Sequence, residues 1–465
     1  MKKLIALLCC CLAVAAVSPA NAASGQITVK KASAEKQMPP PALPAVSPTV
    51  FRAPDVRRVV SDGGIEAWLI EEKSTPVIAV SVLFKGGKAA DPARLTGLSS
   101  LAASLLDEGA GRYPAEQFTE ILSEKAIGLS FEATADFFMA DMETLRKNKE
   151  DGFDLLRLSL TRPRFDRKTV RRMKEQMYAG IKARKGDPNA VAAERWAKLV
   201  YKGHPYGRMT PTERSVRSIT RANLRGWVRD RIARDNMIVG VAGNISAEEL
   251  KPLLDRAFAA LPAKSRVRET PPFVPELSDR TDILTMDVPQ SAALFGHKGI
   301  ARNDPDFYAA LLVNYSFGGG GFASRLFNEV REKRGLAYSV GTSLSVGKAA
   351  PMLTGSLGSD NAKMAGAIEI IREQWDKMAR NGPDEQELQD AKTYLTGAFP
   401  LTFTSSGGVA SYLAGMRYYG LGIDYLNRHN DLIDAVTLQQ AKDVAERMFD
   451  AGSLFFVVVG KPANL

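Results

Sequence analysis

Arg331 and Tyr338 flank Gly335 in the stretch SRLFNEVREKRGLAYSV, and four consecutive glycines, Gly318, Gly319, Gly320 and Gly321, stand just ahead of them. A guanidinium offers a fork of N–H donors suited to a carbonyl or carboxylate, and a phenol offers one donor on a rigid ring. The pattern predicts a helix from about Ala323 with Arg331 in its last turn, then a strand from Leu336 that carries Tyr338. A turn at Gly335 could bring the two polar tips together, and a glycine loop lets backbone approach whatever it faces. Plainer roles stand beside these: a connecting loop, a helix-end ion-pair partner and a half-buried strand aromatic. No Lys-Ser/Thr follows the glycines, which argues against a phosphate-binding loop.

Other chemistry is scarce. All three cysteines lie in the first eleven residues, so the rest of the chain has no disulfide, cysteine nucleophile or thiolate metal site. The three histidines, His204, His297 and His429, are far apart in sequence and read as surface or satisfied core residues. No G-x-S-x-G elbow occurs. Asp107 and Glu108 are adjacent and point to different helix faces, so Glu108 reads as a helix-end residue rather than half of an acid pair.

The elements that must position these residues come in two copies. SITRANLRGWVRDRIARDNMIVGVAGN, from Ser218, matches AVTLQQAKDVAERMFDAGSLFFVVVGK, from Ala435, each a Thr-capped amphipathic helix followed by an apolar strand ending at Gly. Thr220 to Thr437 and Gly243 to Gly460 are both 217 residues apart, Asp166 to Asp384 and Lys174 to Lys392 are 218, and Asp91 to Asp304 is 213. Such a steady offset indicates an internal duplication. The expected architecture is α+β: two homologous tandem domains, each a mostly antiparallel sheet covered by helices. Their expected limits are 51–264 and 281–465, with a linker at 265–280 rich in proline (ETPPFVPELSD).

The chain of 465 residues, 45% hydrophobic, is long enough for such cores. It opens as a secretory leader over 1–22: Lys2 and Lys3, an apolar run, and Ala20-Asn21-Ala22 for cleavage. The run is too short for a membrane anchor, and no later stretch is apolar for long enough. A proline-rich arm fills 23–50. Loss of the leader's two lysines lowers the net charge from +10 to +8. Arg162 to Lys185 holds ten Lys and Arg against Asp166 and Glu175, without the aromatic platforms a nucleic-acid reading requires. A solvated helix face is the simpler account, with attraction of an acidic peptide or partner subunit as the functional one. An exported chain without disulfides suggests a periplasmic home.

The run YSFGGGGFASRLFNEVREKRGLAYSVGTSL, together with HPYGRMTPTERSVRSITRANLRGWVRDRIARDNMIVGVAGN, resembles the pitrilysin/insulinase family of zinc peptidases, the inverzincins, over nearly the whole chain from about Val56 to Gly460. In that family a Gly-Leu pair leads into H-x-x-E-H, two zinc-binding histidines and a general-base glutamate, with a glutamate ligand downstream. Here Gly97-Leu98 is followed by Ser100, Ala103 and Ser104, and the downstream position falls near Gly180, where no acid stands. Hydroxyls and methyls cannot replace two imidazoles and a carboxylate. The resemblance therefore implies a non-catalytic subunit, similar to the inactive partner of bacterial heterodimeric two-domain peptidases and to mitochondrial processing peptidase alpha-type subunits. It implies a processing-peptidase-like metallohydrolase fold forming half of a clamshell. It also implies no metal on this chain, zinc on a homologous exported partner carrying H-x-x-E-H, and peptide substrates held by the glycines, Arg331 and Tyr338. A catalytically inert peptide-binding or scaffold homodimer is the alternative.

Overall fold

The structure is a computed structural model describing residues 52–465; the expected leader and the whole of the proline-rich arm lie outside the described residues. The first half builds one sheet from β1 (Arg57–Val60), β2 (Glu66–Glu71), β3 (Val77–Lys85), β4 (Gly128–Ala133), β5 (Phe137–Leu145) and β6 (Met237–Gly243). Their order is β1-β2-β6-β3-β5-β4. The second half builds another from β7 (Thr281–Thr285), β8 (Gln290–Lys298), β9 (Ser339–Ser345), β10 (Met352–Asp360) and β11 (Phe455–Gly460), ordered β7-β11-β8-β10-β9. Apart from the added β1 the two orders coincide. Each sheet has a single parallel pair, β2 with β6 and β7 with β11, and is otherwise antiparallel.

Paired residues from the duplication do the same work in both halves. Thr220 and Thr437 each accept from the backbone three residues on, in reciprocal capping boxes with Asn223 and Gln440. Lys174 Nζ donates to Ile219 O at 2.5 Å, and its counterpart Lys392 Nζ donates to Asp434 O at 2.9 Å. Each lysine satisfies a carbonyl at the end of a neighbouring helix, where a cation is favoured.

The closing strands are apolar throughout because both of their faces are covered. Phe456 and Val458 of β11 enter the core of the second half, while Phe455 and Val457 pack on Trp196 and Val200. Those two residues belong to the helix Pro188–Val200 of the first half. Conversely, Val239 and Val241 of β6 lie in the first core, and Ala242 packs on Val409, Ala410 and Leu413 of the helix Ser406–Tyr418 from the second half. These helices begin 218 residues apart, the offset of the duplication. The halves therefore exchange equivalent helices. Gly240 is required beneath one of them, since a Cβ there would lie 2.2 Å from Ala410 O. Each large apolar side chain so buried contributes roughly 1.5–3 kcal/mol.

The linker segment is tied to both sides: Pro271 O meets His204 Nε2 at 2.9 Å, and Phe273 N donates to Ala349 O. No helix among the described residues is long and apolar enough to cross a membrane.

Candidate functional site

The helix that follows Gly97 is short, Leu98–Ala103. Gly97 enters it with φ +95°, a conformation suited to glycine. After Ala103 the backbone tightens into three-residue bonds, Leu105 N to Ala102 O and Leu106 N to Ala103 O. The Ser104 hydroxyl donates back to Leu101 O at 3.0 Å. Ser100 is half-buried, Ala103 buried and Ser104 exposed. Gly180 lies exposed on the helix Arg167–Arg184 with open space around it. Glu108 pairs with Arg172 across to the same helix.

Nothing at these positions fits zinc. Among the described residues no group of three or more His, Cys, Asp or Glu could hold a metal ion. The histidines are committed elsewhere. His204 accepts from Tyr206 N, and buried His297 accepts from Trp375 Nε1 and Asp450 N, each at 3.2 Å. His429 stacks on Phe399 with centroids 3.7 Å apart. Burial pushes His297 and His429 below the ordinary imidazole value.

What the short helix does carry is a buried polar network that residue types alone did not reveal. Ser99 Oγ donates to Asp91 Oδ1 at 2.6 Å and accepts from Arg231 at 2.8 Å and Trp227 Nε1 at 3.1 Å. Arg231 also pairs with Asp91 at 3.0 Å and donates to Gly87 O and Ala90 O. Asp91-Pro92 was legible only as a duplication marker; the signal for its role was its distant partner, Arg231, which proximity in sequence cannot give.

Only the last two glycines turn the chain. Tyr315–Gly319 continues the helix Phe307–Asn314 as a wide π-type turn that includes Gly318 and Gly319; after the turn at Gly320 and Gly321 the helix expected from about Ala323 begins at Arg325 and widens in the same way over Phe327–Glu332. Packing explains the glycines. A Cβ at Gly318 would meet Thr342 Oγ1 at 2.5 Å, and one at Gly319 would meet Asn314 Nδ2 at 2.7 Å. Gly320 presses on Tyr315, while Gly321, with φ +58°, faces open space. Next to it Phe322 is 77% exposed.

Gly335, also at φ +58°, does fold the chain back: its N–H donates to Arg331 O, and Leu336 N donates to Val330 O. The two side chains nevertheless part. The Arg331 guanidinium lies over the rings of Phe327 and Phe322, 4.7 and 5.7 Å from their centroids. Tyr338, 53% exposed, donates its hydroxyl to Asp360 Oδ1 at 2.6 Å, and that carboxylate raises the phenol above its usual pKa. No hydrogen bond joins Arg331 to Tyr338; each engages other groups of the chain.

A second feature went unread in the sequence. A hollow of about 260 Å³ lies between β3, β4, β5 and the start of the helix Ser406–Tyr418, with Ser130, Asp141 and Glu143 on its wall. Burial pushes the Asp141 carboxyl up to about 6, and Oδ1 has no hydrogen-bond partner. Strand alternation in FFMADMETL, which sets Asp141 on the face of Phe137 and Met139, was the available signal. The folded chain holds a proton here that the unfolded chain loses near pH 4. Stability therefore falls as pH rises between about 4 and 6, and stays lower above. A carboxyl held near 6 when folded and near 4 when unfolded corresponds to roughly 3 kcal/mol. Asp141→Asn should stabilise the chain by up to that amount at pH 7–8 and not at pH 4; thermal melts of both proteins across this range check it, and parallel pH profiles would refute the assignment.

Residues 67–212 match the family model described as insulinase (peptidase family M16), and residues 218–395 match the one described as the peptidase M16 inactive domain. The chain belongs to peptidase family M16. Among relatives, it is 24% identical to the non-peptidase homolog YmxG of Helicobacter pylori, over 84% of this chain and 90% of that one. It is 23% identical to the uncharacterized zinc protease YmxG of Bacillus subtilis, over 85% and 96%. A crystal structure of a peptidase M16 inactive domain from Pseudomonas fluorescens superposes with a TM-score of 0.82 at 25% identity, covering 88% of this chain and 98% of that one. A protease from Helicobacter pylori shares the fold, with a TM-score of 0.79 at 18% identity over 88% of this chain and all of the other. Within the M16 family this chain is an inactive homologue of the non-peptidase YmxG type.

Proposed function

We propose that this chain is the non-catalytic, substrate-holding subunit of a periplasmic heterodimeric zinc peptidase. A homologous exported partner would supply H-x-x-E-H and the metal, and this chain would supply the facing wall. The observation that carries the reading is an asymmetry between the halves. In the first half no group of three or more His, Cys, Asp or Glu among the described residues could hold a metal, and the short helix joins a buried structural network. The other half presents Tyr338, Phe322 and Gly321 together with Arg331 on or near an open surface. Backbone at Gly320 and Gly321 can approach an extended peptide, Arg331 can hold a peptide carbonyl, and Tyr338 can donate to an oxygen that gains negative charge during hydrolysis.

Purified alone, the chain should bind no stoichiometric zinc and cleave no peptide. Co-expressed with an H-x-x-E-H homologue, it should form a one-to-one complex with peptidase activity, which a chelator abolishes without separating the subunits. Elemental analysis, native mass measurement and peptide hydrolysis decide the matter. One zinc per chain in the isolated protein, or no complex with the homologue in excess, would sink the reading. A second reading, an inert peptide-holding homodimer, is favoured by the separation of the Arg331 and Tyr338 side chains, each already engaged within its own chain. It predicts a homodimer even beside the homologue.

A further inference from the structure

The basic run from Arg162 sorts into two groups once its side chains are placed. Arg164 pairs with Asp166 at 2.7 Å, Arg172 pairs with Glu108, and Lys174 caps a helix end. Arg162 has no such partner among the described residues and, like Arg164, lines a groove of about 750 Å³. This groove lies between the helices Ala115–Glu124 and Lys149–Thr161. Those helices cover the opposite face of the first sheet from the exchanged helix Ser406–Tyr418, since Met142 of β5 packs with Phe153 and Leu156 while Phe137 packs with Ala414. The groove is therefore separate from the surface around Tyr338.

Its floor is apolar, with Ile121, Leu155 and Leu158, and its rim is cationic. Lys125 is paired with Asp151 at 2.5 Å, and Arg157 with Asp154 at 3.3 Å, which Arg256 also holds. Three arginines remain without a carboxylate. Arg112 bonds only the Tyr113 hydroxyl, at 2.8 Å, and lies over that ring. Arg162 and Arg225 are exposed and make no side-chain hydrogen bond or ion pair among the described residues. Three forked donors around an apolar floor match a ligand with carboxylates and one apolar side chain. Arginine and tyrosine beside an apolar pocket are also the residue types that dominate binding energy at protein interfaces. The concavity favours a protruding segment over a flat bilayer surface, and no stacking platform for nucleic acid is present.

We propose that this groove docks an acidic peptide segment of a partner protein, with its carboxylates on Arg112, Arg162 and Arg225 and an apolar side chain on the floor. The test uses the mature full-length chain and a fluorescein-labelled, glutamate-rich peptide with a central phenylalanine, followed by anisotropy. Binding should weaken as salt rises, because the rim is solvent-exposed. Replacing the glutamates by glutamine, or making the triple variant Arg112→Ala, Arg162→Ala and Arg225→Ala, should each cost about tenfold or more in affinity. The triple lysine variant keeps the charge and loses the fork, so it should fall between. It also covers the case in which the alanine variant fails to fold, where affinity equal to wild type in the lysine variant counts against the fork. Equal affinity for the glutamine peptide, or an unchanged affinity in the folded triple alanine variant, overturns the proposal. So does binding of phosphatidylglycerol vesicles without binding of the peptide, which would assign the rim to a membrane surface.

Discussion

If this chain is the substrate-holding subunit proposed above, Tyr338→Phe should lower the kcat of the assembled peptidase by about 10²–10³-fold, the usual cost of losing one donor to a developing oxyanion. Attack of water on a peptide carbonyl places charge on the carbonyl oxygen, and a hydroxyl at the end of a rigid ring stabilises it with little reorganisation. The Tyr338 hydroxyl is already a committed donor, to Asp360 at 2.6 Å. Reaction would exchange one acceptor for another, a smaller cost than leaving a donor unpaired. Phenylalanine removes only that hydroxyl from a half-exposed ring, so assembly and peptide binding should survive. Arg331→Ala should raise KM as well, because a group that positions the substrate acts in both ground and transition states. Tyr315→Phe serves as the control, since that ring stacks on Tyr394 and its hydroxyl donates no hydrogen bond among the described residues. A kcat for Tyr338→Phe within about twofold of wild type would reduce this chain to a wall of the chamber.

The second large effect concerns stability, and the duplication supplies its own control. Asp91 pairs with Arg231, and the duplicated Asp304 pairs with Arg447, both at 3.0 Å. Their surroundings differ. The side chains of Arg231 and Asp91 are 9% and 1% exposed, against 49% and 24% for Arg447 and Asp304. Arg231→Ala would leave a buried carboxylate without its counter-charge and Ala90 O without its donor, so it should destabilise by about 3–5 kcal/mol. Arg447→Ala should cost about 1 kcal/mol or less, as expected for an exposed pair. Denaturant melts of the two variants settle this. Equal losses would mean that the first pair is no more buried in solution than the second.

These two ion pairs also show where sequence reading stops. The offset from Asp91 to Asp304 was visible in the residues, and with it the two tandem sheets and the matched Thr220 and Thr437 caps. Burial was not, because it depends on which distant elements close over a residue. The helices Pro188–Val200 and Ser406–Tyr418 have apolar faces that a sequence displays, yet nothing in a periodicity says which sheet such a face will meet. The glycines misled for a related reason. Gly318 and Gly319 are turn-forming by composition, but tertiary packing against Thr342 and Asn314 decides their conformation.

The crossing of those two helices bears on why a half without chemistry persists. If the first half were deleted, Phe455 and Val457 would lose Trp196 and Val200 and face water along the length of β11. If the second were deleted, Ala242 and the rest of the first sheet's inner face would be laid bare in the same way. A gene that lost its catalytic residues could shed the corresponding domain only by uncovering the other, which would turn a folded protein into an aggregating one. The exchange works as a ratchet: once each copy came to roof its twin, neither could be lost without uncovering the other.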